Sequence, residues 1–199
     1  MASCGTGIEP ARGISSRLMD VGAALAPLYD PLMRIVGWTR TQRGVLTGAE
    51  GSILDVGCGP ARLANGSHEH YVGVDRRMAM LSQGPGGTTL VCADAAALPF
   101  GDGTFDTVVS TALLGLCLPA ERRPILREMA RVCRGTLRIL EPIAPLDPVR
   151  RAVALSRQPV RLEELRTAGW HVTCVGQDNF AGVYTLVCAT PTVRPASNP

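Results

Sequence analysis

Apolar, β-rich runs alternate with helical patterns from about residue 50 onward. Seven runs predict strands, at residues 52–56, 71–75, 88–92, 104–110, 136–141, 170–175 and 182–188. Helical spacing of apolar residues marks the stretches 76–81, 120–134 and 161–168, and Gly169 supplies a C-terminal glycine for the last of them. Near-continuous apolar strands separated by helices predict a mostly parallel seven-stranded sheet covered on both faces, which is a doubly wound α/β fold.

The two ends of the chain depart from this alternation. Only residues 176–181 separate the last two strands, too few for a crossover helix, so we expect a C-terminal antiparallel hairpin. Residues 14–46 contain two helical stretches, with Asp30 as an N-cap before a proline. We therefore expect an N-terminal helical lid over residues 1–49, a main domain over 50–190 and a loose tail over 191–199.

Composition narrows the function. The chain has 199 residues, 46% hydrophobic and 19% charged, which predicts one domain with a short appendage. The 20 basic residues are all arginine, which excludes Schiff-base lysine chemistry, Walker-type phosphate loops and kinase-like phosphate handling. The arginines are dispersed, so no nucleic-acid partner is expected. The sequence contains no run of 18 apolar residues, so no membrane-spanning helix is expected.

Cysteine usage indicates a compartment. The seven cysteines include no Cys-x-x-Cys pair, which favours neither a zinc site nor a complete disulfide framework. The first 17 residues include the charged Glu9, Arg12 and Arg17 and lack the apolar core of a signal peptide. A reduced, cytoplasmic location is therefore expected. Cys92, Cys174 and Cys188 lie in predicted strands, where we expect buried, apolar packing.

Acidic residues recur near the ends of the predicted parallel strands, at Asp55, Asp75, Asp94 and Glu141. Ligands of open parallel sheets bind outside these strand ends. A turn with glycine at positions 57 and 59 follows Asp55, and its backbone can approach a ligand closely. Position 62 is arginine where a dinucleotide fingerprint needs glycine, which argues against a nicotinamide-dependent oxidoreductase. The acids favour a ligand with a cationic group near Asp55 and a ribose near Asp75.

At this point the sequence resembles a known family. Residues 53–59, Ile-Leu-Asp-Val-Gly-Cys-Gly, are similar to motif I of class I S-adenosylmethionine-dependent methyltransferases, and residues 71–75 resemble its second-strand partner. Further segments agree in order and spacing: 91–95 with 98–100, 104–110, 126–132 and 140–142. The likeness covers roughly residues 50–190. Within that class, the sequence looks closest to the ubiquinone/menaquinone C-methyltransferase-like branch (methyltransferase type 11), whose members methylate many kinds of small molecule.

The resemblance implies S-adenosylmethionine as cofactor and S-adenosylhomocysteine as product. It implies that Asp55 and the glycine turn face the methionine part, and that Asp75 faces the ribose hydroxyls. The adenine would lie against Asp94 and Ala95, and the transferable methyl group against Ser110 and Thr111. The expected cofactor-binding residues are Asp55, Gly57, Cys58, Gly59, Asp75, Arg76, Asp94, Ala95, Ser110 and Thr111. Ala61 replaces a third glycine that is common in the family.

Methyl transfer from a sulfonium is an in-line displacement, which needs positioning and exclusion of water more than acid–base chemistry. Two residues are candidates for a catalytic role, Tyr29 beside Asp30 and Glu141. Each has a structural alternative: Tyr29 as a packed aromatic at a helix end, and Glu141 as a residue that closes its strand. Surface or core packing is favoured over substrate contact for Trp38, Arg40 and Arg43.

No metal is expected, because His68, Glu69 and His70 alternate in a loop where solvated side chains are favoured. The segments 60–70 and 142–160 are short, which removes surface that relatives use for substrate contacts. Two functions stay open. One is a methyltransferase for a small-molecule carbon, oxygen or nitrogen acceptor. The other is a non-catalytic S-adenosylmethionine-binding subunit that needs a partner to complete the acceptor site, and a homo-oligomer or a partner subunit is compatible with either.

Overall fold

The protein is described here by a computed structural model that covers residues 38–64, 70–144, 146, 158–179 and 184–192. Its helices and strands are, in chain order, α1 (Trp38–Arg43), β1 (Ile53–Val56), β2 (Tyr71–Asp75), α2 (Met78–Leu81), β3 (Thr89–Cys92), β4 (Phe105–Thr111), α3 (Pro119–Val132), β5 (Cys133–Pro142), α4 (Leu162–Thr167), β6 (Trp170–Asn179) and β7 (Tyr184–Pro191). Short 3-10 helices span Gly44–Leu46, Arg62–Ala64 and Leu114–Leu116.

The strands form one seven-stranded sheet in the order β3-β2-β1-β4-β5-β7-β6. Strands β1 to β5 pair in parallel, whereas β7 runs antiparallel to both β5 and β6. The predicted doubly wound sheet and its C-terminal antiparallel hairpin are therefore confirmed. The strand order reverses between β1 and β4, and a crevice opens at such a switch point outside the carboxyl ends of the strands.

Two strands are four residues longer than their sequence pattern predicts. Strand β5 begins at Cys133 and β6 continues to Asn179, whereas the apolar runs span only 136–141 and 170–175. The added residues of β5 pair with β4 at their start, and those of β6 pair with β7 at their end. Hydrogen bonds to a neighbouring strand thus extend the sheet through polar residues that carry no strand signal.

Two apolar cores lie on opposite faces of the sheet. The face toward α3 and α4 buries Leu126, Leu137 and Trp170, and the Trp170 indole N–H donates to the Leu126 carbonyl at 3.0 Å. The face toward α1 and the first 3-10 helix buries Val45 and Leu140. Each fully buried aliphatic side chain stabilises the fold by about 1.5–3 kcal/mol relative to an exposed one. Packing on both faces therefore stabilises the sheet and holds the ends of its strands in place.

The predicted lid falls mostly outside the described residues. Its part from residue 38 to 49 consists of α1 and a 3-10 helix whose Val45 is buried in the second core. Tyr29 and Asp30 lie outside the described residues, so their proposed place near a cofactor stays a prediction. Within the described part of the chain, no helix is long and apolar enough to cross a membrane.

One prediction about the cysteines is wrong. Cys188 is buried and Cys92 half-buried, but Cys174 is exposed. The apolar run around Cys174 predicts a covered strand, whereas β6 lies at the edge of the sheet with a neighbour on one side only.

Candidate functional site

A tight glycine turn joins β1 to the 3-10 helix at Arg62–Ala64. The backbone N–H groups of Gly57 and Cys58 both donate to the Val74 carbonyl, at 2.8 and 3.0 Å, which ties the turn to β2. Gly57 and Gly59 have φ of +74° and +56°, in the left-handed region that favours glycine. A Cβ at Gly57 would lie 3.0 Å from the Leu113 side chain, so the turn also packs against the loop after β4.

Two alanines near the crevice share this left-handed conformation. Ala61 has φ of +50° and Ala112 has φ of +58°, and both are buried. This conformation costs an L-residue with a Cβ about 1–2 kcal/mol. Ala61, which stands where a third glycine is common in the family, therefore adopts a glycine-like backbone. Strained residues of this kind cluster at functional sites, and these two lie after β1 and after β4.

Asp55 is buried beneath the glycine turn. Its side chain is 1% exposed, and its Oδ2 accepts a hydrogen bond from the Tyr71 hydroxyl at 2.6 Å. The other oxygen, Oδ1, is buried without a hydrogen-bond partner among the described residues. Burial, together with the negative charge of Asp75, raises the pKa of Asp55 to about 7, although the Tyr71 hydrogen bond lowers it. An unpaired buried oxygen at this place is an acceptor for a cationic or N–H donor of a ligand.

Asp75 ends β2 and holds the turns on both sides of it. Its Oδ2 accepts from the Gly59 backbone N–H at 3.0 Å, and its Oδ1 accepts from the Arg77 backbone N–H at 2.9 Å. Each carboxylate oxygen has further lone pairs. Asp75 thus has a fixed orientation and spare acceptor capacity, as a residue that accepts hydrogen bonds from a ribose needs.

The same edge of the sheet continues past β3. The Ala93 backbone N–H donates to the Asp75 carbonyl at 3.2 Å, which brings the end of β3 beside the end of β2. Asp94 is exposed, and its Oδ1 accepts from the Ala96 backbone N–H at 2.9 Å. Arg76 is exposed and Ala95 is partly buried. The structure therefore places these predicted residues along one edge, outward from Asp75.

Ser110 and Thr111 lie on opposite sides of the sheet at the end of β4. The Ser110 hydroxyl is fully buried and donates to the Val56 carbonyl at 2.9 Å, so it connects β4 to β1. The Thr111 hydroxyl accepts from the Gln42 side-chain amide on α1 at 3.1 Å. Gln42 Oε1 is buried and has no hydrogen-bond partner among the described residues. Only Thr111 thus faces the helix that covers the second core.

Glu141 positions the loop after β4. It is fully buried, and its two carboxylate oxygens accept from the backbone N–H groups of Leu114 and Gly115, at 2.8 and 3.0 Å. These bonds fix the 3-10 helix that follows Ala112. The geometry describes a positioning residue, and direct participation of Glu141 in catalysis stays a prediction.

Cys58 is unsuited to act as a nucleophile. Burial raises the pKa of its thiol, and the nearby charges of Asp55 and Asp75 raise it further. The reactive form of cysteine is the thiolate. The side chain packs instead over Gly73, where a Cβ would lie 2.9 Å from the Cys58 sulfur.

A cavity of about 320 Å³ lies on the α1 side of the sheet. Leu140 and Leu186 form part of its floor, and α1 and the following 3-10 helix supply Arg40, Thr41, Gly44 and Val45. Leu140 is the in-register neighbour of Thr111. The cavity therefore adjoins the end of β4, where the family resemblance predicts the transferable methyl group.

No group of three or more His, Cys, Asp or Glu side chains within the described ranges could hold a metal ion. His68 and Glu69 lie outside those ranges, and His70 is exposed.

Comparison with known proteins identifies the fold. Residues 53–136 match the family model described as a methyltransferase domain. The chain has the class I methyltransferase fold. No curated protein matches the sequence. The matched stretch contains β1 to β4, α3 and the start of β5, together with the glycine turn and both carboxylates described above.

Solved structures agree with this methyltransferase fold. A SAM-dependent methyltransferase from Thermotoga maritima superposes with a TM-score of 0.68 at 14% identity, over 86% of this chain and 98% of that one. A chain of the complex that contains the Haloferax volcanii Trm112 methyltransferase activator gives a TM-score of 0.69 at 15% identity. The superposition covers 92% of this chain and 100% of that one. The [4+2]-cyclase SpnF gives 0.66 at 16% identity, over 92% and 98%. At these identities the likeness shows the fold. The particular branch within the class is not confirmed.

The family match indicates S-adenosylmethionine as the cofactor, and the residues present fit it. S-adenosylmethionine carries a positive sulfonium and an α-ammonium group, and Asp55 offers a buried oxygen that lacks a partner. Asp75 offers acceptor capacity for ribose hydroxyls next to Gly59, whose added Cβ would meet nothing closer than Met80 at 3.5 Å.

Three residues contribute to the site although the sequence pattern does not mark them as functional. The sequence marks Tyr71 only as the first residue of a predicted strand, yet its hydroxyl donates a hydrogen bond to Asp55 on the neighbouring strand. Gly73 makes room for Cys58, and Gln42 reaches Thr111 across 69 residues of sequence. The parallel register of β1 and β2 places Tyr71 and Asp55 on one face, a signal available only once the pairing of the strands is known.

Proposed function

We propose that the chain transfers the methyl group of S-adenosylmethionine to a small-molecule acceptor. The observation that carries the proposal is the buried, unpartnered Oδ1 of Asp55 beside the glycine turn. An unsatisfied buried acceptor is costly, by about 1–3 kcal/mol, and a ligand ammonium or N–H donor removes that cost. The cofactor residues proposed from the sequence keep their roles here, with Asp55 and Asp75 as the principal binding groups.

When bound, S-adenosylmethionine supplies a methyl group on a sulfonium that is already an activated leaving group. The chain's own residues then have to orient the cofactor and the acceptor and to enclose them. Asp55 binds the cationic end, and Asp75 orients the ribose while it holds the glycine turn through the Gly59 N–H. Glu141 keeps the loop after β4 in place through two backbone N–H groups. Rigid positioning of this kind supplies most of what an in-line displacement needs.

The acceptor occupies the cavity beside Thr111. Its volume of about 320 Å³ lies at the lower end of the range for small-ligand pockets. Val45, Leu140 and Leu186 provide an apolar surface, and Arg40 provides a cation. An acceptor with an apolar body and a carboxylate or phenolate group matches this lining.

Calorimetric titration with S-adenosylmethionine and S-adenosylhomocysteine tests the cofactor assignment. We expect both to bind, and absence of binding at millimolar concentration would overturn the proposal. Turnover is then measured as S-adenosylhomocysteine formed on a panel of quinols, phenols, amines and hydroxybenzoates. Because a [4+2]-cyclase shares this fold, the turnover assay, not the fold, decides for methyl transfer.

A second function has one observation in its favour. The chain superposes over 92% of its length on a chain from a complex with a methyltransferase activator. A subunit that binds the cofactor but needs a partner for its acceptor site would bind S-adenosylhomocysteine and leave the whole panel unmethylated. Turnover by the purified chain alone would exclude this alternative.

A further inference from the structure

Two cysteines face each other across the C-terminal hairpin. Cys174 on β6 and Cys188 on β7 are register partners in the antiparallel ladder. Directly opposite residues in such a ladder have Cα atoms about 4.5 or 5.5 Å apart, and disulfides span about 4.4–6.8 Å between Cα atoms. The Cα spacing typical of such a rung therefore suits a disulfide.

The two cysteine side chains differ in their exposure to solvent. Cys174 is exposed on the edge strand, while Cys188 is buried. Cys188 lies opposite Arg138 of β5, on its other side. Burial, and the neighbouring Cys174 thiol, raise the pKa of Cys188 to about 11. An oxidant in solution thus meets Cys174 first, and Cys188 stands behind it as a protected thiol.

No other pair of cysteines is arranged in this way within the described strands. Cys92 is the register partner of Asp75, and Cys133 is the register partner of Phe105. All six cysteines of the described ranges are free thiols. Cys174 and Cys188 therefore differ from the other described strand cysteines because they are paired with each other in the ladder.

We propose that Cys174 and Cys188 form an oxidative modification site whose co-reactant is a hydroperoxide. The Cys174 sulfur attacks the peroxide oxygen and breaks the O–O bond, giving a sulfenic acid and an alcohol, or water if the oxidant is hydrogen peroxide. The Cys188 sulfur then attacks the Cys174 sulfur, the S–S bond forms and the sulfenic oxygen leaves as water. Two thiols lose two electrons in total, and the hydroperoxide gains them.

The disulfide would fasten the edge of the sheet. The ladder between β6 and β7 shifts register on both sides of Cys174, between Val172 and Cys174 and again between Val175 and Asp178. A crosslink at this rung restrains the unfolded chain and so raises thermal stability. Leu186, two positions from Cys188, lines the cavity, so the modified strand adjoins the proposed acceptor site. Thiol exchange reverses such a bond in a reducing compartment.

Peptide mapping after peroxide treatment tests the proposal. The reduced full-length protein is treated with hydrogen peroxide, its remaining thiols are alkylated under denaturing conditions, and trypsin is added. No arginine lies between Cys174 and Cys188, so one tryptic peptide beginning at Thr167 carries these two cysteines and no other. We expect this peptide to lose both alkylation sites together, and to regain them after dithiothreitol. Chymotrypsin, which cleaves between the two positions, should leave two fragments joined by the disulfide.

Matched variants complete the test. Cys174→Ser and Cys188→Ser should each abolish the crosslink, and Cys174→Ser alters an exposed side chain, so it keeps the fold. Cys92→Ser should leave the crosslink intact. The melting temperature of the oxidised wild type should rise, and that of oxidised Cys174→Ser should not. A covalent dimer through Cys174, a sulfinic acid at Cys174 with Cys188 still reduced, or a crosslink to a different cysteine would each overturn the proposal.

Discussion

The Tyr71 hydroxyl donates a hydrogen bond of 2.6 Å to Oδ2 of Asp55, across two neighbouring parallel strands and inside the second core. The bond stabilises the charged form of a carboxyl group that burial disfavours. The result is a pKa of about 7, close to physiological pH and far above the usual value of 3.8. Both the cofactor affinity and the stability of this protein should therefore depend on pH through Asp55.

Cofactor binding should weaken as pH falls through about 7. The ionised Asp55 attracts a cationic ligand group, and protonation removes that attraction. In Tyr71→Phe the pKa of Asp55 should rise further, so the midpoint of the binding curve should move to higher pH. Calorimetric affinities for S-adenosylhomocysteine from pH 6 to 9 check this. Equal midpoints in wild type and Tyr71→Phe would contradict it, and Tyr184→Phe is a control hydroxyl deletion.

Asp55 should also make the protein less stable as pH rises. The folded state keeps the Asp55 proton up to about pH 7, whereas the unfolded state loses it near 3.8. The unfolded state thus binds fewer protons in this window, and the free energy of unfolding falls by up to about 1.4 kcal/mol per pH unit. Asp55→Asn should lack this contribution. Urea unfolding at pH 5, 6, 7 and 8 measures the difference, and parallel curves for both proteins would show that Asp55 does not titrate there.

Asp75→Ala should weaken S-adenosylmethionine binding by about 1–3 kcal/mol, the range for a lost hydrogen bond to a charged group. The change also frees the Gly59 N–H, so the melting temperature is measured alongside affinity. Asp102→Ala removes an exposed carboxylate that forms a salt bridge with Arg131, and this variant provides the control. Unchanged affinity in Asp75→Ala would remove Asp75 from the site.

Replacing Arg122 should lower the free energy of unfolding more than replacing Arg166. The Arg122 side chain is 1% exposed, pairs with Glu164 at 3.0 Å and donates to the Leu114 carbonyl at 2.9 Å, which joins α3 to α4 and to the loop after β4. Arg122→Met leaves buried carbonyls without donors, so we expect a loss on the order of 3 kcal/mol. Arg166→Met breaks an exposed pair with Glu163 and should cost less than about 1 kcal/mol. Equal unfolding midpoints in denaturant would contradict this.

Arg40→Gln should raise the KM for an acidic acceptor with little change in kcat, because the guanidinium binds substrate and transition state alike. Arg43→Gln is the matched control, since Arg43 is exposed on the same helix but does not line the cavity. An uncharged phenol should show no difference among wild type and both variants. Equal effects of the two substitutions on the acidic acceptor would place the acceptor elsewhere.

The local pattern of the sequence determined the order of the elements, the parallel sheet and the hairpin, because strand and helix periods are set by neighbouring residues. It also determined the glycine turn and the acids around Asp55 and Asp75, since a parallel sheet gathers its strand ends at one edge. Strand ends were less well determined: β6 continues through Asn179 because its partner strand extends the ladder.

The tertiary structure alone decided the chemistry of particular groups. The pKa of Asp55 depends on burial and on Tyr71, and the cavity is lined by residues of α1, the following 3-10 helix, β5 and β7. The exposure of Cys174 and its position opposite Cys188 depend on which strand lies at the edge and in which register. Such properties arise from contacts between segments that are distant in sequence, and no local pattern of residues encodes the register that brings them together.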